Sequence, residues 1–286
     1  MLSDSTNSFG NLQSYLKYTR PTAKRLFGDF SFRKKNVSKH QENVQKMLEV
    51  LALNGTMTTW DMAKALQGLD LQSIRSKEKE FRRILVGRRD RGKKTAGVLD
   101  VGLVVKSGHR KKKAIANLYR LSLHGILYCL DVLEFSHKEI DKVASNYKKI
   151  LPYVFGRWEY LKSILGNDVY RLKLLGGGFF MDNTQLAGIS ALPIYEVTSY
   201  INTKYSSQYE SIKEKDLAAQ ISYWFFTILL IPTKISSKQD SAETVTKWKK
   251  IFENDPKLKK WYFNFVNEVV KHYHDKFSLI KDLEPN

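Results

Sequence analysis

The chain has 286 residues, 42% of them hydrophobic and 27% charged, a balance that suits a globular protein of about two domains and excludes a disordered one. Lysine and arginine outnumber aspartate and glutamate by 48 to 29, a net charge of +19; solubility needs no such one-sided excess, which points to a polyanionic partner. The single cysteine, Cys129, excludes an intramolecular disulfide and a thiolate zinc site, and the most apolar stretch, Ile221 to Ile231, is shorter than the ~20 residues that span a bilayer.

The opening, MLSDSTNSFG, lacks the apolar run of a secretory leader, so a cytoplasmic protein without a membrane partner is expected. Residues 1–40 are polar and then basic and read as a flexible arm. Ser38 and Gln41 have the spacing of a capping box, after which Val44, Met47, Leu48 and Leu51 recur at helical intervals until Gly55. Thr58 and Asp61 predict the start of a second, short helix carrying Met62, Ala63 and Leu66 inward. Gln67 to Asp70 is a turn, and a third helix runs from about Leu71 to Gly87. Ile74, Phe81, Ile84 and Leu85 form its apolar side, and Arg75, Ser76, Lys79, Arg82 and Arg83 lie opposite.

The period then changes. Residues 98–106 end in a β-rich run, Ser107 to Lys113 is a basic turn containing Gly108, and Asn117 to Ser122 alternates as a returning strand. Leu123, Ile126, Leu127, Leu130 and Leu133 close the unit with another amphipathic helix. Three helices, a hairpin with a basic tip and a closing helix describe a winged helix. The segments Gly102–Lys106 and Tyr119–Gly125 resemble the G-L-V…Y-x-L-T-x-x-G signature of winged helix-turn-helix transcription regulators. Together with Met57 to Ala63, residues 41–135 resemble archaeal regulators of this kind, themselves uncharacterised. That resemblance implies a transcriptional regulator that binds DNA through the third helix and the wing. Residues 88–97 depart from the pattern by lengthening the link between helix and wing.

From Ser136 the sequence is helical and less basic. Ser136 and Glu139 form a second capping box, Val154, Trp158, Leu161 and Leu165 the next apolar stripe, and further helices are expected at about 193–205, 212–231, 241–253 and 256–280. The expected architecture is therefore mainly α: a winged helix-turn-helix domain at 41–135 and an all-helical C-terminal domain at 136–286. The second domain would serve dimerisation, contact with another protein or effector sensing.

Charge distribution carries the functional expectation. Residues 75–125 hold 16 basic and four acidic side chains, a balance of +12 out of the total +19. An α-helix fits the major groove, where Arg and Lys reach guanine edges, so Arg75, Ser76, Lys79, Arg82 and Arg83 are candidates to read bases. Arg88, Arg89, Arg91, Lys93 and Lys94 are candidates for phosphate, and His109, Arg110, Lys111, Lys112 and Lys113 for backbone or minor groove. The helix start at Thr58 and Thr59 is a candidate to donate N–H groups to a phosphate. The expected partner is double-stranded DNA, and the expected role transcriptional control without catalysis or cofactor. Three rivals are an architectural or replication-associated protein that ignores sequence, a protein–protein module, and an RNA binder. For catalysis and metal the sequence offers little. His272 and His274, two apart, do not share a helical face, Gly176 to Gly178 lacks the Gly-Lys-Ser/Thr of a phosphate loop, and no paired carboxylates stand out.

Overall fold

A computed structural model describes residues 39–68, 70–90, 93–95, 97–100, 102–111, 115–173, 214–230 and 238–281. The arm up to residue 38, the glycines at 176–178 and the helix expected at 193–205 lie outside these. The described chain is mainly helical with two small antiparallel hairpins.

Helix α1 (Lys39–Asn54) buries Val44, Met47, Leu48 and Leu51, the stripe its spacing predicts. Helix α2 (Thr59–Gln67) starts where Thr58 caps it: the Thr58 hydroxyl accepts from Asp61 N at 3.2 Å and Asp61 answers by accepting from Thr58. Helix α3 (Leu71–Val86) is capped by Asp70, which accepts from Ser73 N at 3.0 Å, and it packs Ile74, Phe81, Ile84 and Leu85 against α1 and α2. A second pin fixes α3 to α1. Buried Asn43 donates to Glu80 and accepts from Lys77 Nζ at 2.9 Å, and Lys77 itself pairs with Glu80 at 2.8 Å.

Strands β1 (Arg88–Asp90) and β2 (Lys93–Thr95) form the first hairpin, in the segment that lengthens the link after α3. Strands β3 (Val104–Lys111) and β4 (Ile115–Leu121) form the second. Its strands are longer than the sequence suggests: Gly108 to Lys111 are paired strand and not turn, and a bulge between Lys106 and Gly108 leaves Ser107 as the extra residue. The last pair on this side is Lys111 with Ile115. Met57, between α1 and α2, adds a bridge to Tyr119 on the other edge of β4, with N–H···O bonds of 2.9 and 2.8 Å. Backbone order is thus Met57, β4, β3, and the second hairpin is tied to the helices at its base.

Helix α4 (Leu123–Val132) follows immediately. Its cap, Ser122, accepts from Gly125 N at 3.0 Å and donates to the Gly102 carbonyl. Gly125 sits so near β3 that a Cβ there would lie 2.1 Å from the Leu103 carbonyl oxygen, so only glycine fits. Cys129 on this helix is buried, and burial pushes its thiol well above the ordinary range, as expected of a structural residue.

One core runs across the position expected to divide two domains. Helix α5 (His137–Asn146), opened by the Ser136–Glu139 capping box, packs on α1. Just beyond it, buried Tyr147 donates its hydroxyl to the Leu51 carbonyl at 2.8 Å and accepts from Leu121 N at 3.3 Å. Beyond a short 3₁₀ turn, α6 (Trp158–Leu165) and a 3₁₀ segment at Gly166–Leu172 gather around Asp141, which accepts from Trp158, Lys162 and Tyr170. Helices α7 (Glu214–Leu230), α8 (Lys238–Asn254) and α9 (Pro256–Lys281) follow the expected spans closely. Trp224, Phe225, Phe226, Phe252 and Tyr262 are buried between them, so the aromatic set here is core. No helix among the described residues is long and apolar enough to cross a membrane.

Candidate nucleic-acid interface

The outer face of α3 is the most regular feature of the candidate surface. With Ile74, Phe81 and Leu85 turned inward, Gln72, Arg75, Ser76, Lys79, Arg82 and Arg83 are all exposed. Gln72, Lys79 and Arg83 run down the middle of that face at intervals of seven and four residues, and Arg75 and Arg82 flank them. Arg75, Lys79 and Arg83 make no ion pair with any described residue. The Arg82 guanidinium is held from one side: Glu78 accepts from Arg82 Nη2 at 2.7 Å and from the Thr59 hydroxyl at 2.9 Å. The Arg82 side chain is nonetheless 67% exposed, so the pair orients it without hiding it. Gln72 lacks charge and escapes a search for basic residues; the helical spacing applied to polar positions finds it, and glutamine pairs well with an adenine edge.

Thr58 and Thr59 do not offer the phosphate site expected of them. Both are buried. One free N–H of the first turn, that of Asp61, is taken by the Thr58 hydroxyl, and the Asp61 carboxylate already supplies a negative charge to that helix end. Burial pushes the Asp61 carboxyl up, but hydrogen bonds from Thr58 and from Arg110 outweigh it and hold the group below its usual range. Asp70 does the same for α3, its carboxyl lowered by the bonds from Ser73 and Gln72. A phosphate approaching either helix start would meet a carboxylate. The positive end of this surface is instead the C-terminal half of α3.

On the second hairpin, Lys106, Ser107 and His109 are exposed on β3. Arg110 is not free for a ligand in the same way, because it reaches back to Asp61 with an Nη1–Oδ2 distance of 2.8 Å. It therefore fixes the hairpin's angle to α2. Lys111 ends β3, and Lys112 and Lys113 lie outside the described residues. Ile115, the first residue of β4, is a large apolar side chain left 74% exposed beside this basic tip. Arg120, part of the same charge-rich segment, is used internally: Glu214 at the start of α7 accepts from Arg120 Nη2 at 2.9 Å and from Leu123 N at 2.9 Å.

Backbone pairing sets Arg88 opposite Thr95, Arg89 opposite Lys94 and Asp90 opposite Lys93 in the first hairpin. Arg91 lies in its reversal, outside the described residues. The described residues contain no cluster of three or more histidine, cysteine or acidic groups able to hold a metal ion. Comparison with protein families, with characterised proteins and with solved structures returns no match for this chain. Its chemistry has to be argued from its own surface.

Proposed function

We propose that residues 41–135 form a winged helix-turn-helix that binds duplex DNA and acts in transcriptional control, with no catalytic step of its own. The order helix, bridging residue, two helices, hairpin supports the winged-helix reading, because α3 then corresponds to the element that enters the major groove and β3–β4 to the wing. The observation that carries the reading is the exposed row Arg75, Lys79 and Arg83 on α3, without an ion pair among the described residues and with Gln72 beside it. Lys77, Arg110 and Arg120 in the same segment are held by carboxylates instead. The row lies on one helix face, and an α-helix has the dimensions to enter a major groove. Helices α5 to α9 would then present this unit and meet a partner or a second copy.

Selection from a random duplex library at about 150 mM salt, a range in which phosphate contacts alone bind weakly, tests the reading. An enriched motif is expected, with a log K against log[salt] slope of about −4.5 to −7 for roughly five to eight phosphates. Reversing Arg75, Lys79 and Arg83 should abolish the motif. Tight binding with no motif would favour a sequence-indifferent architectural protein, and no duplex binding would remove the reading.

A further inference from the structure

We propose that the elbow between α8 and α9 is a second DNA-binding surface, which holds the phosphates of a separate duplex segment without reading its sequence. The inference rests on the duplex-DNA reading of α3, which supplies the first segment.

Five lysines crowd this elbow. Lys249 and Lys250 lie in the last two turns of α8, and Lys257, Lys259 and Lys260 within the first five residues of α9, with Asp255 alone between the helices. At ~1.5 Å of rise per helical residue, each of the five backbones stands within about 10 Å of Asp255. All five side chains are exposed, and none makes an ion pair with a described residue. Lys247 is the contrast, held by Asp168 and by Glu243 at 2.9 Å each. Of the carboxylates inside the elbow, Asp255 is already engaged: it accepts from Arg157 Nε at 2.5 Å and from Leu258 N at 2.8 Å. Glu253 is left against five cations.

The folded chain gains nothing from this crowding. The start of α9 is the positive end of its helix dipole, where acidic residues stabilise, and its first turn has none. Lys257 and Lys260, three apart, share a face and repel each other. A polyanion over the elbow removes both costs. The elbow is also well fixed. Tyr160 donates its hydroxyl to the Ile251 carbonyl at 2.6 Å, and Tyr153 stacks on Trp261 with ring centres 3.8 Å apart. Lys148 and Lys149, both exposed, precede the segment that carries Tyr153 and Arg157.

Lysine is a point charge without the planar fork that reads a guanine edge, so a lysine-only surface suits phosphates and not bases. A patch roughly 17 Å across lies along a stretch of duplex with on the order of ten phosphate charges, more than a short acidic loop supplies. The elbow's place makes the segment a separate one. From α3 the packing runs through α1, α5 and α6 before it reaches α8, with axes ~8–10 Å apart at each contact. One chain would then bridge two duplexes.

The test holds a biotinylated duplex of about 30 base pairs on beads and adds the full chain with a fluorescent duplex of unrelated sequence. The fluorescence retained is measured across salt. The full chain should retain the second duplex, with a log–log salt slope of about −3 to −4.5 for three to five phosphates. Changing Lys249, Lys250, Lys257, Lys259 and Lys260 together to Gln should lower retention about tenfold or more near 150 mM salt, with binding of the bead duplex alone unchanged. That variant should unfold at the midpoint of the full chain or above it, because the charges removed oppose the dipole. Polyglutamate at equal charge should not displace the fluorescent duplex. No retention by a full chain that still binds the bead duplex would overturn the inference and leave the reading of α3 intact. Equal retention by the Gln variant, as two α3 faces of a dimer would give, would do the same. Weaker bead-duplex binding by that variant would overturn it by joining the elbow to the first site, and a lowered midpoint by giving the lysines to the fold. Displacement by polyglutamate would overturn it in favour of an acidic protein. No binding of either duplex by the full chain would remove the reading of α3, and the bridge with it.

Discussion

The two hairpins of this protein are built on opposite principles. The β3–β4 hairpin is woven in. Val104 and Leu121 are buried at its base, Met57 bridges to Tyr119, and Tyr147 accepts from Leu121 N. The β1–β2 hairpin follows α3 where Gly87 and Gly97 come close together, and it has no apolar residue in its strands. A basic loop that grows from the core can be aimed, because packing fixes its angle; a basic loop attached to the end of a helix supplies charge without costing the core anything. Mutations should tell the two apart.

The sharpest contrast comes at Gly125. Alanine there would drive its Cβ into the Leu103 carbonyl at the base of the woven hairpin, and a clash of that kind costs about 3 kcal/mol, a large fraction of the roughly 5–15 kcal/mol that holds a typical domain folded. Thermal unfolding by circular dichroism would show a broadened or missing transition. Retention of the full-length midpoint would mean that α4 and β3 can slide apart freely. A smaller loss is expected from Tyr147→Phe. Leu51's carbonyl keeps a bond from Gly55 N, but Leu121 N loses its buried acceptor, at a cost of about 1–3 kcal/mol. Urea titration measures it, and a shift confined to the midpoint with the same slope would locate the effect in the native state.

Next comes the acid limb of stability. The Asp61 carboxyl is held below its unfolded value by Thr58 and Arg110 against the pull of burial, so its contribution is fully present above about pH 5 and disappears as pH falls through about 3.9 toward the folded value. Asp61→Asn should therefore lower stability at pH 7 and flatten part of the fall below pH 4. The same variant releases Arg110 and should loosen the angle of the woven hairpin. Parallel acid curves for the two proteins would show that the pair is energetically idle. The smallest effect belongs to the β1–β2 hairpin: replacing 88–96 by two glycines should move stability by no more than about 0.5 kcal/mol, as read by differential scanning calorimetry.

Helices were legible in the sequence because their signals are local. Thr58 with Asp61 and Ser136 with Glu139 mark starts that the structure reproduces, and the apolar stripes of α1 and α3 follow one face each. The hairpins were harder. Gly108 reads as a turn residue but is paired strand beside a bulge, because pairing register is set by partners far along the chain. The short strands β1 and β2 have no alternation of apolar and polar residues to betray them. Among the candidate contacts, the α3 face follows from helical spacing alone. The internal duties of Arg110, Arg120 and Thr59 depend on Asp61, Glu214 and Glu78, up to 94 residues away, and no local pattern announces them. The change in composition near Ser136 suggested a boundary, yet the core passes through it.

That continuity bears on how the molecule is cut. A fragment ending at residue 135 would strip Tyr147 from Leu51 and Leu121 and uncover the side of α1 that α5 occupies. Limited proteolysis should accordingly spare every peptide bond between Lys39 and the end of α1, and again from Leu123 to Leu172. The smallest piece expected to stay folded runs at least to Leu172, with Asp141 still gripping Trp158 and Tyr170. The helices that follow the β3–β4 hairpin then serve as the backing of the first three.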